Sequence, residues 1–258
     1  MPNIIKERKD EILAFAYKQG HVSVKELSEA LKVSEATIRR NLHDIAAEGL
    51  LELTHGGASV VKNSDYSFIS KSMRNVEAKR TIALLAAELV QDGDQIFLDS
   101  GTTCFAMTKF LRTKKSLSVI VNSVRTAQEL QAPSLNVLML GGQYRPERMD
   151  TIGPIAHETL NQLRGYLTFV GTDGLSRDFG FTAIDIESAD LFGLAVKNGR
   201  ESILLADSSK FDKPALYKIT NIRSISTIIT EKKPSPDWCR FSDENGIKII
   251  YPLTAGTL

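Results

Sequence analysis

From Val33 to Ala47 apolar side chains recur every three or four positions, the period of a helix with one buried face. Ile38, Leu42, Ile45 and Ala46 gather on one side, while Ala36, Thr37, Arg40 and His43 project from the other and Arg39 lies on the flank. Ser34 is a natural N-cap for a helix that begins at Glu35, because its hydroxyl can accept from the free amides of the first turn. Upstream, SVKE at residues 23 to 26 has the spacing of a capping box and opens a short helix with Val24, Leu27 and Leu31 inward. Only Lys32 and Val33 separate that helix from the Ser34 cap, so the two predict a helix-turn-helix. Ile5, Ile12, Leu13 and Ala16 predict an earlier helix, ended by Gly20, that covers the pair. Gly49 is expected to stop the second helix, and LLELTHGGASVV (50 to 61) reads as two extended runs around His55, Gly56 and Gly57, the pattern of a wing.

The pattern then changes. Residues 58 to 73, ASVVKNSDYSFISKSM, show no sustained period and read as a linker between a DNA-binding domain at 1 to 57 and a second domain at 74 to 258. From Arg74 a helix through Val90 leads into the apolar run QIFLD, the helical GTTCFAMTKFLR, the strand LSVIV and a helix around Thr126 to Leu130. NVLML, a helix near Ile155 to Leu163, YLTFV, a helix from about Asp185 to Asn198, SILLA, STIIT and IKIIY follow. Short branched strands alternating with helices predict an α/β fold, a mostly parallel sheet with helices on both faces, and place any pocket at the carboxyl ends of the strands.

Composition narrows the function classes. The chain has 258 residues, 42% of them hydrophobic, enough for one large and one small domain. Nothing approaches the roughly 18 to 20 apolar residues that span a bilayer, and MPNIIKERKDE lacks the apolar run of a signal peptide, so no membrane association and a cytoplasmic location are expected. Cys104 and Cys239, and His21, His43, His55 and His157, fit no metal or redox spacing; neither metal nor cofactor is expected. The 32 basic and 31 acidic residues nearly cancel, and residues 1 to 57 carry eight Lys and Arg against nine Asp and Glu, so net charge does not announce a nucleic-acid binder. A local stripe remains: Lys32, Arg39 and Arg40, then Lys62, Lys71, Arg74, Lys79 and Arg80. Few phosphate contacts per subunit imply a homo-oligomer, dimer or tetramer, on paired half-sites of double-stranded DNA.

Two constellations carry candidate chemistry. In the first, Ser34, Ala36, Thr37, Arg39, Arg40 and His43 form the outward face of the predicted reader helix. Small residues let the backbone approach base edges, Arg40 can fork onto guanine, and Arg39 is better aimed at phosphate. The second comprises five loops that follow predicted strands: Asp99, Ser100, Gly101, Thr102 and Thr103; Asn122 and Ser123; Gly141, Gly142 and Arg145; Gly171, Thr172, Asp173 and Gly174; and Asp207, Ser208, Ser209 and Lys210. Hydroxyls and free amides between a strand and a helix attract anions, so a phosphate-bearing ligand is expected there. DSGTT is neither a Walker motif, which needs its lysine, nor a dinucleotide fingerprint.

SEATIRRNL, THGGA, DSGTT, VNS, LGG, GTDG and LADSSKF occur in the order found in the DeoR family of bacterial sugar-responsive transcription regulators, which this chain resembles over nearly its whole length. The resemblance implies a winged helix-turn-helix and a sensor domain similar in fold to ribose-phosphate isomerases, which binds phosphorylated sugars or related metabolites. By position it implies that Thr37, Arg39 and Arg40 contact operator DNA. It makes Asp99 and Gly101 to Thr103 the phosphate loop, and puts Asn122, Gly142, Arg145 and Lys210 near the sugar, with Glu187 close to an acidic position of the family. Two departures stand out: Asn41, where many relatives have Asp, and Phe192-Gly193, where many carry Lys-Arg. The leading expectation is a repressor of a carbohydrate operon whose operator affinity follows a sugar phosphate. Its rivals are an isomerase-like enzyme using Asp99, Asp173, Asp185 and Lys210, and a DNA-binding scaffold whose sensor has lost or changed its ligand.

Overall fold

The computed structural model describes residues 2–47, 50–60 and 68–252, without the side chains of residues 2–7, 10, 17, 18 and 60. Gly49, Lys62 and the side chain of Ile5, to which the sequence assigned roles, lie outside the described residues. Two compact units result, Met1–Val76 and Glu77–Leu258.

In the first unit α1 (Pro2–Gln19) precedes β1 (His21–Ser23), α2 (Val24–Leu31) and α3 (Glu35–Ala47). The expected capping box is formed: the Glu26 amide donates to Ser23 Oγ at 3.2 Å and the Ser23 amide to Glu26 Oε2 at 3.1 Å. Lys32 ends α2 in the left-handed region (φ 52°), and the Ser28 hydroxyl donates to the Val33 carbonyl at 2.7 Å, fixing the turn into α3. Ile12, Leu13, Ala16, Val22, Leu27, Ile38, Leu42 and Ile45 form one buried core. The wing pairs β2 (Leu51–Thr54) with β3 (Gly57–Val60), and β3 also pairs with β1, giving the order β1-β3-β2. Both glycines of THGGA are required, for different reasons. Gly56 turns the hairpin at φ +82°, whereas a Cβ on Gly57 would lie 2.0 Å from the Val22 carbonyl oxygen.

Residues 58–73 are therefore not a linker throughout. Ala58–Val60 belong to β3, and Phe68–Met73 form a short helix, α4, whose Ile69 and Met73 pack against the core of this unit. A helix of six residues is too short to display a period, which is why the sequence pattern concealed it.

The second unit begins near α5 (Val76–Glu88) and is built on seven parallel strands: β4 (Gln95–Leu98), β5 (Leu117–Val121), β6 (Leu135–Met139), β9 (Leu167–Gly171), β12 (Glu201–Leu205), β14 (Thr227–Ile229) and β15 (Lys248–Ile250). Their order is β15-β14-β12-β9-β4-β5-β6. Alternate residues enter opposite cores: Phe97, Val170, Leu204 and Ile228 pack toward α8 (Pro154–Asn161), α9 (Ile186–Asn198) and α10 (Pro236–Glu244). Ile96, Leu98, Phe169, Leu205 and Ile229 pack toward α5 and α6 (Thr102–Leu111). Burial on both faces explains why the five inner strands are continuous apolar runs, whereas the edge strands β6 and β15 are only partly covered.

The chain steps from β4 outward through β5 and β6, then returns to β9 on the other side of β4. The β4 and β9 ends thus flank the switch point where open α/β sheets hold ligands. Two additions went unforeseen. A hairpin, β7 (Gln143–Arg145) and β8 (Asp150–Ile152), follows β6, and a small antiparallel sheet joins β10 (Gly174–Ser176), β11 (Gly180–Ala183) and β13 (Tyr217–Thr220). Strands of three or four residues rich in Gly, Ser and Thr carry too little alternation to be read from sequence.

Candidate DNA-binding face and effector site

Ile38, Leu42 and Ile45 of α3 are buried, while Ser34, Ala36, Arg39, Arg40 and His43 are exposed and Thr37 is half-buried. Ser34 caps the helix, its Oγ 3.3 Å from the Thr37 amide and 2.9 Å from the Thr37 hydroxyl. Arg39 folds back on Glu35, Nη2 to Oε2 at 2.9 Å, and Arg40 extends from the helix as an exposed cation. Asn41 points into the core, 5% exposed. It does not set the geometry of Arg39, whose carboxylate partner is Glu35. The supposed positive stripe is also narrower: Lys79 is buried in α5, and Lys71 and Arg74 are half-buried.

All five strand-end loops lie at the carboxyl edge of the sheet, but their polar atoms divide into two groups. The first group holds the edge together. Asp99, 1% exposed, accepts the Gly101 amide at 2.7 Å and the Gly171 amide at 2.5 Å, fastening the β4 loop to the end of β9. Burial raises its pKa above the ordinary carboxylate value, and bonds from Cys104, Gly171 and Gly101 oppose that rise. Cys104 beside it is buried, and burial followed by the Asp99 charge pushes its thiol well up, so it is an inert thiol. Asn122 and Ser123 are buried: Asn122 Nδ2 donates to the Thr151 carbonyl at 3.0 Å, while Ser123 Oγ caps α7 (Val124–Glu129). Gly142 lies where a Cβ would meet the Ile152 carbonyl oxygen at 2.6 Å, and Gly141 is exposed beside it. The Thr172 hydroxyl donates to the Gly174 and Thr182 carbonyls at 2.6 and 2.8 Å, and Asp173 Oδ2 accepts the Ile184 amide at 3.0 Å.

Arg145 also belongs to this group. Its Nε and Nη2 each meet Asp150 at 2.8 Å, Nη1 meets both oxygens of Asp185 at 2.9 and 3.0 Å, and Nη2 reaches Ser188 Oγ at 3.1 Å. Glu187 stands 3.5 Å from Nη1, and Arg148 meets Asp185 at 3.2 Å. Burial alone would lower the Arg145 pKa, but the bonds to Asp150 and Asp185 outweigh it and hold the guanidinium charged. The Asp185 carboxyl is held below its ordinary value: burial opposes this, and bonds from Ser188 and Arg145 prevail. Ser100 joins the cluster to the β4 loop, its hydroxyl 3.4 Å from Asp150 Oδ2.

The second group is small. Thr102 and Thr103 are half-buried in the first turn of α6, whose N-cap, Gly101, supplies no side-chain hydrogen bond to that turn. Lys210, half-buried, follows β12 in a short 3-10 turn that is capped by Asp207 and held through the Ser208 amide on Glu231. Sequence reasoning missed Glu231, since nothing local marks a glutamate after a strand as a support for the neighbouring loop. Phe192 is 6% exposed and meets Phe97 edge-on at 6.4 Å, and a Cβ on Gly193 would lie 2.9 Å from the Ile219 carbonyl oxygen. This pair packs α9 onto the sheet and β13 instead of lining the pocket. Among the described residues no group of three or more His, Cys, Asp or Glu could hold a metal ion, and no helix is long and apolar enough to cross a membrane.

The helix-turn-helix unit and the parallel-sheet unit each match a family description in sequence. The DeoR-like helix-turn-helix domain covers residues 8–64, and the DeoR C terminal sensor domain covers residues 74–232. The chain belongs to the DeoR family. The uncharacterized HTH-type transcriptional regulator FruR of Bacillus subtilis is 31% identical over 95% of this chain and 98% of its own length. The lactose phosphotransferase system repressor of Lactococcus lactis is 33% identical over 90% of this chain and 92% of its own, and the putative aga operon transcriptional repressor of Escherichia coli O157:H7 is 29% identical over 95% and 93%. Among solved structures, ribose 5 phosphate isomerase A from Neisseria gonorrhoeae is 18% identical and covers 52% of each chain with a TM-score of 0.39. This DeoR chain is thus a helix-turn-helix transcriptional regulator whose sensor domain follows its DNA-binding domain in sequence.

Proposed function

We propose that the protein is a cytoplasmic repressor of a carbohydrate-use operon. In this reading it grips double-stranded operator DNA through α3 as a homo-oligomer, and its grip changes when a phosphorylated sugar occupies the carboxyl edge of the sheet. On the DNA side, Arg40 reads a base edge, Arg39 meets phosphate, and Ser34, Ala36, Thr37 and His43 complete the contact face. The observation that carries the effector reading is the α6 N-terminus at the β4–β9 switch point, where the hydroxyls of Thr102 and Thr103 stand beside an N-cap without a side chain. A helix N-terminus with added hydroxyl donors attracts a phosphate, and Lys210 supplies a cation at the same edge. Among relatives, the names of the lactose and aga repressors point to sugar operons.

The carboxylates an isomerase would need are engaged elsewhere: Asp99 by two amides, Asp173 by Ile184 and Asp185 by Arg145 and Ser188. We therefore assign no catalytic role. The test is a melting-temperature screen of the full chain against phosphorylated and unphosphorylated sugars, followed by operator titration with and without the hit. A phosphorylated sugar should raise the melting temperature and shift operator affinity without being turned over. Thr102→Val with Thr103→Val should lose the ligand response and keep operator binding. Full response from that double variant would remove the pocket from the DSGTT loop, and turnover of the sugar would make the protein an enzyme.

A further inference from the structure

The Arg145 cluster holds more negative than positive charge beside the proposed phosphate cradle. Two guanidiniums, Arg145 and Arg148, face three carboxylates, Asp150, Asp185 and Glu187. The cluster is contiguous with the cradle, because Ser100, bonded to Asp150, is the residue before the Gly101 cap. A phosphate arriving there meets a carboxylate in excess, and repulsion between them is relieved if one carboxylate leaves.

The two sides of Arg145 differ in how readily that can happen. Nε and Nη2 form a fork on Asp150, whose side chain is 1% exposed. Nη1 faces outward to Asp185 and Glu187, whose side chains are 18% and 48% exposed. The inner fork is fixed by burial, and the outer contact can be replaced by another anion of the same geometry. Both outer carboxylates belong to one element: Asp185 caps α9 and Glu187 lies in its first turn. Further along, Phe192 and Gly193 anchor α9 against the sheet and β13.

We propose that Arg145 works as an exchange switch: a phosphate bound in the Thr102–Thr103 cradle displaces Asp185 and Glu187 from its Nη1 face while Asp150 keeps the inner fork, leaving the first turn of α9 tied to the β7–β8 hairpin only through Arg148 on Asp185 and Arg145 Nη2 on Ser188. This rests on the effector site assigned above and names how occupancy is transmitted from it.

The experiment uses the full chain with inorganic phosphate as probe, titrated by calorimetry. Asp185→Asn keeps an N-cap of equal quality, and Glu187→Gln changes an exposed side chain, so both variants should fold. Each removes a competitor for Arg145 and should tighten phosphate binding by about three- to tenfold. Asp190→Asn removes the same charge from the same helix at a residue that faces His157 at 3.4 Å, and should change affinity by less than about twofold. An equal gain in Asp190→Asn, or no gain in either Asp185→Asn or Glu187→Gln, overturns the exchange. Loss of phosphate binding in Thr102→Val with Thr103→Val alongside either result leaves the cradle standing and discards the switch alone. Phosphate binding that survives the threonine replacements, or is absent from every protein, overturns the effector site and the switch together.

Discussion

Asp99 and Gly171 join the ends of the two strands that flank the switch point: the carboxylate at the end of β4 accepts the amide at the end of β9, and also accepts the amide of Gly101 ahead of α6. Asn at position 99 keeps the shape but offers a single acceptor oxygen, leaving one of these amides unpaired. Asp99→Asn should cost about 1–3 kcal/mol in denaturant unfolding. It should also weaken the ligand response, because the cradle loses its tether to β9. Wild-type stability in this variant would show that the loop holds its shape without the carboxylate.

Arg40→Ala should leave the melting temperature unchanged, since the side chain is exposed, and reduce specific operator affinity by about 1–3 kcal/mol per subunit. Arg39→Ala should weaken binding evenly across sequences, because Arg39, held along the helix by Glu35, is proposed to meet phosphate instead of a base edge. Fluorescence titrations against operator and scrambled duplexes separate the two outcomes. Wild-type affinity from Arg40→Ala would remove α3 as the reader.

Phe192 and Gly193 stand where many relatives carry Lys-Arg, and the packing of this pair points to a role in stability. Phe192→Ala should cost about 3–5 kcal/mol through the cavity left beside Phe97. Gly193→Arg should destabilise as well, because its Cβ would press on the Ile219 carbonyl. Calorimetric unfolding checks both. A stable Phe192→Ala protein with altered sugar preference would return this residue to the pocket.

Asp185 gives a defined pH dependence. Its folded pKa is depressed below 3.8, chiefly by bonds from Ser188 and Arg145 that overcome the effect of burial. The stability it contributes is therefore present above its unfolded pKa and is lost as pH falls through the folded value. Between about pH 5 and pH 3 the denaturation midpoint of the wild type should fall more steeply than that of Asp185→Asn. Parallel curves would show that the Arg145 contact adds no net stability.

Much of the fold was legible because its signals are local. The SVKE box, the Ser34 cap and the i, i+3, i+4 stripe of α3 are satisfied within a few residues, so short-range chemistry is enough to specify them. The five inner strands of the parallel sheet announce themselves because burial on both faces demands unbroken apolar runs. Of the candidate site, the strand-end position of each loop was readable, since it follows from the strands.

Which polar atoms face a ligand was not readable. Arg145, Asn122 and Thr172 look like free binding groups in sequence, yet their partners, Asp150 and Asp185, Thr151, and Thr182, lie from 5 to 40 residues away and are brought to them by the β7–β8 hairpin, by α9 and by the β10–β11 turn. Asn41, Lys79 and Phe192 likewise depended on which way a helix face turned. The sequence by itself determined the element types, the capped helix pair and the gathering of the polar loops at one edge of the sheet, because backbone propensity and apolar period act along the chain. Only the tertiary structure decided that Asp99 and the inner fork of Arg145 are bonded within the edge, on Gly101, Gly171 and Asp150, because hydrogen-bond satisfaction is settled between segments that meet only when the chain is folded.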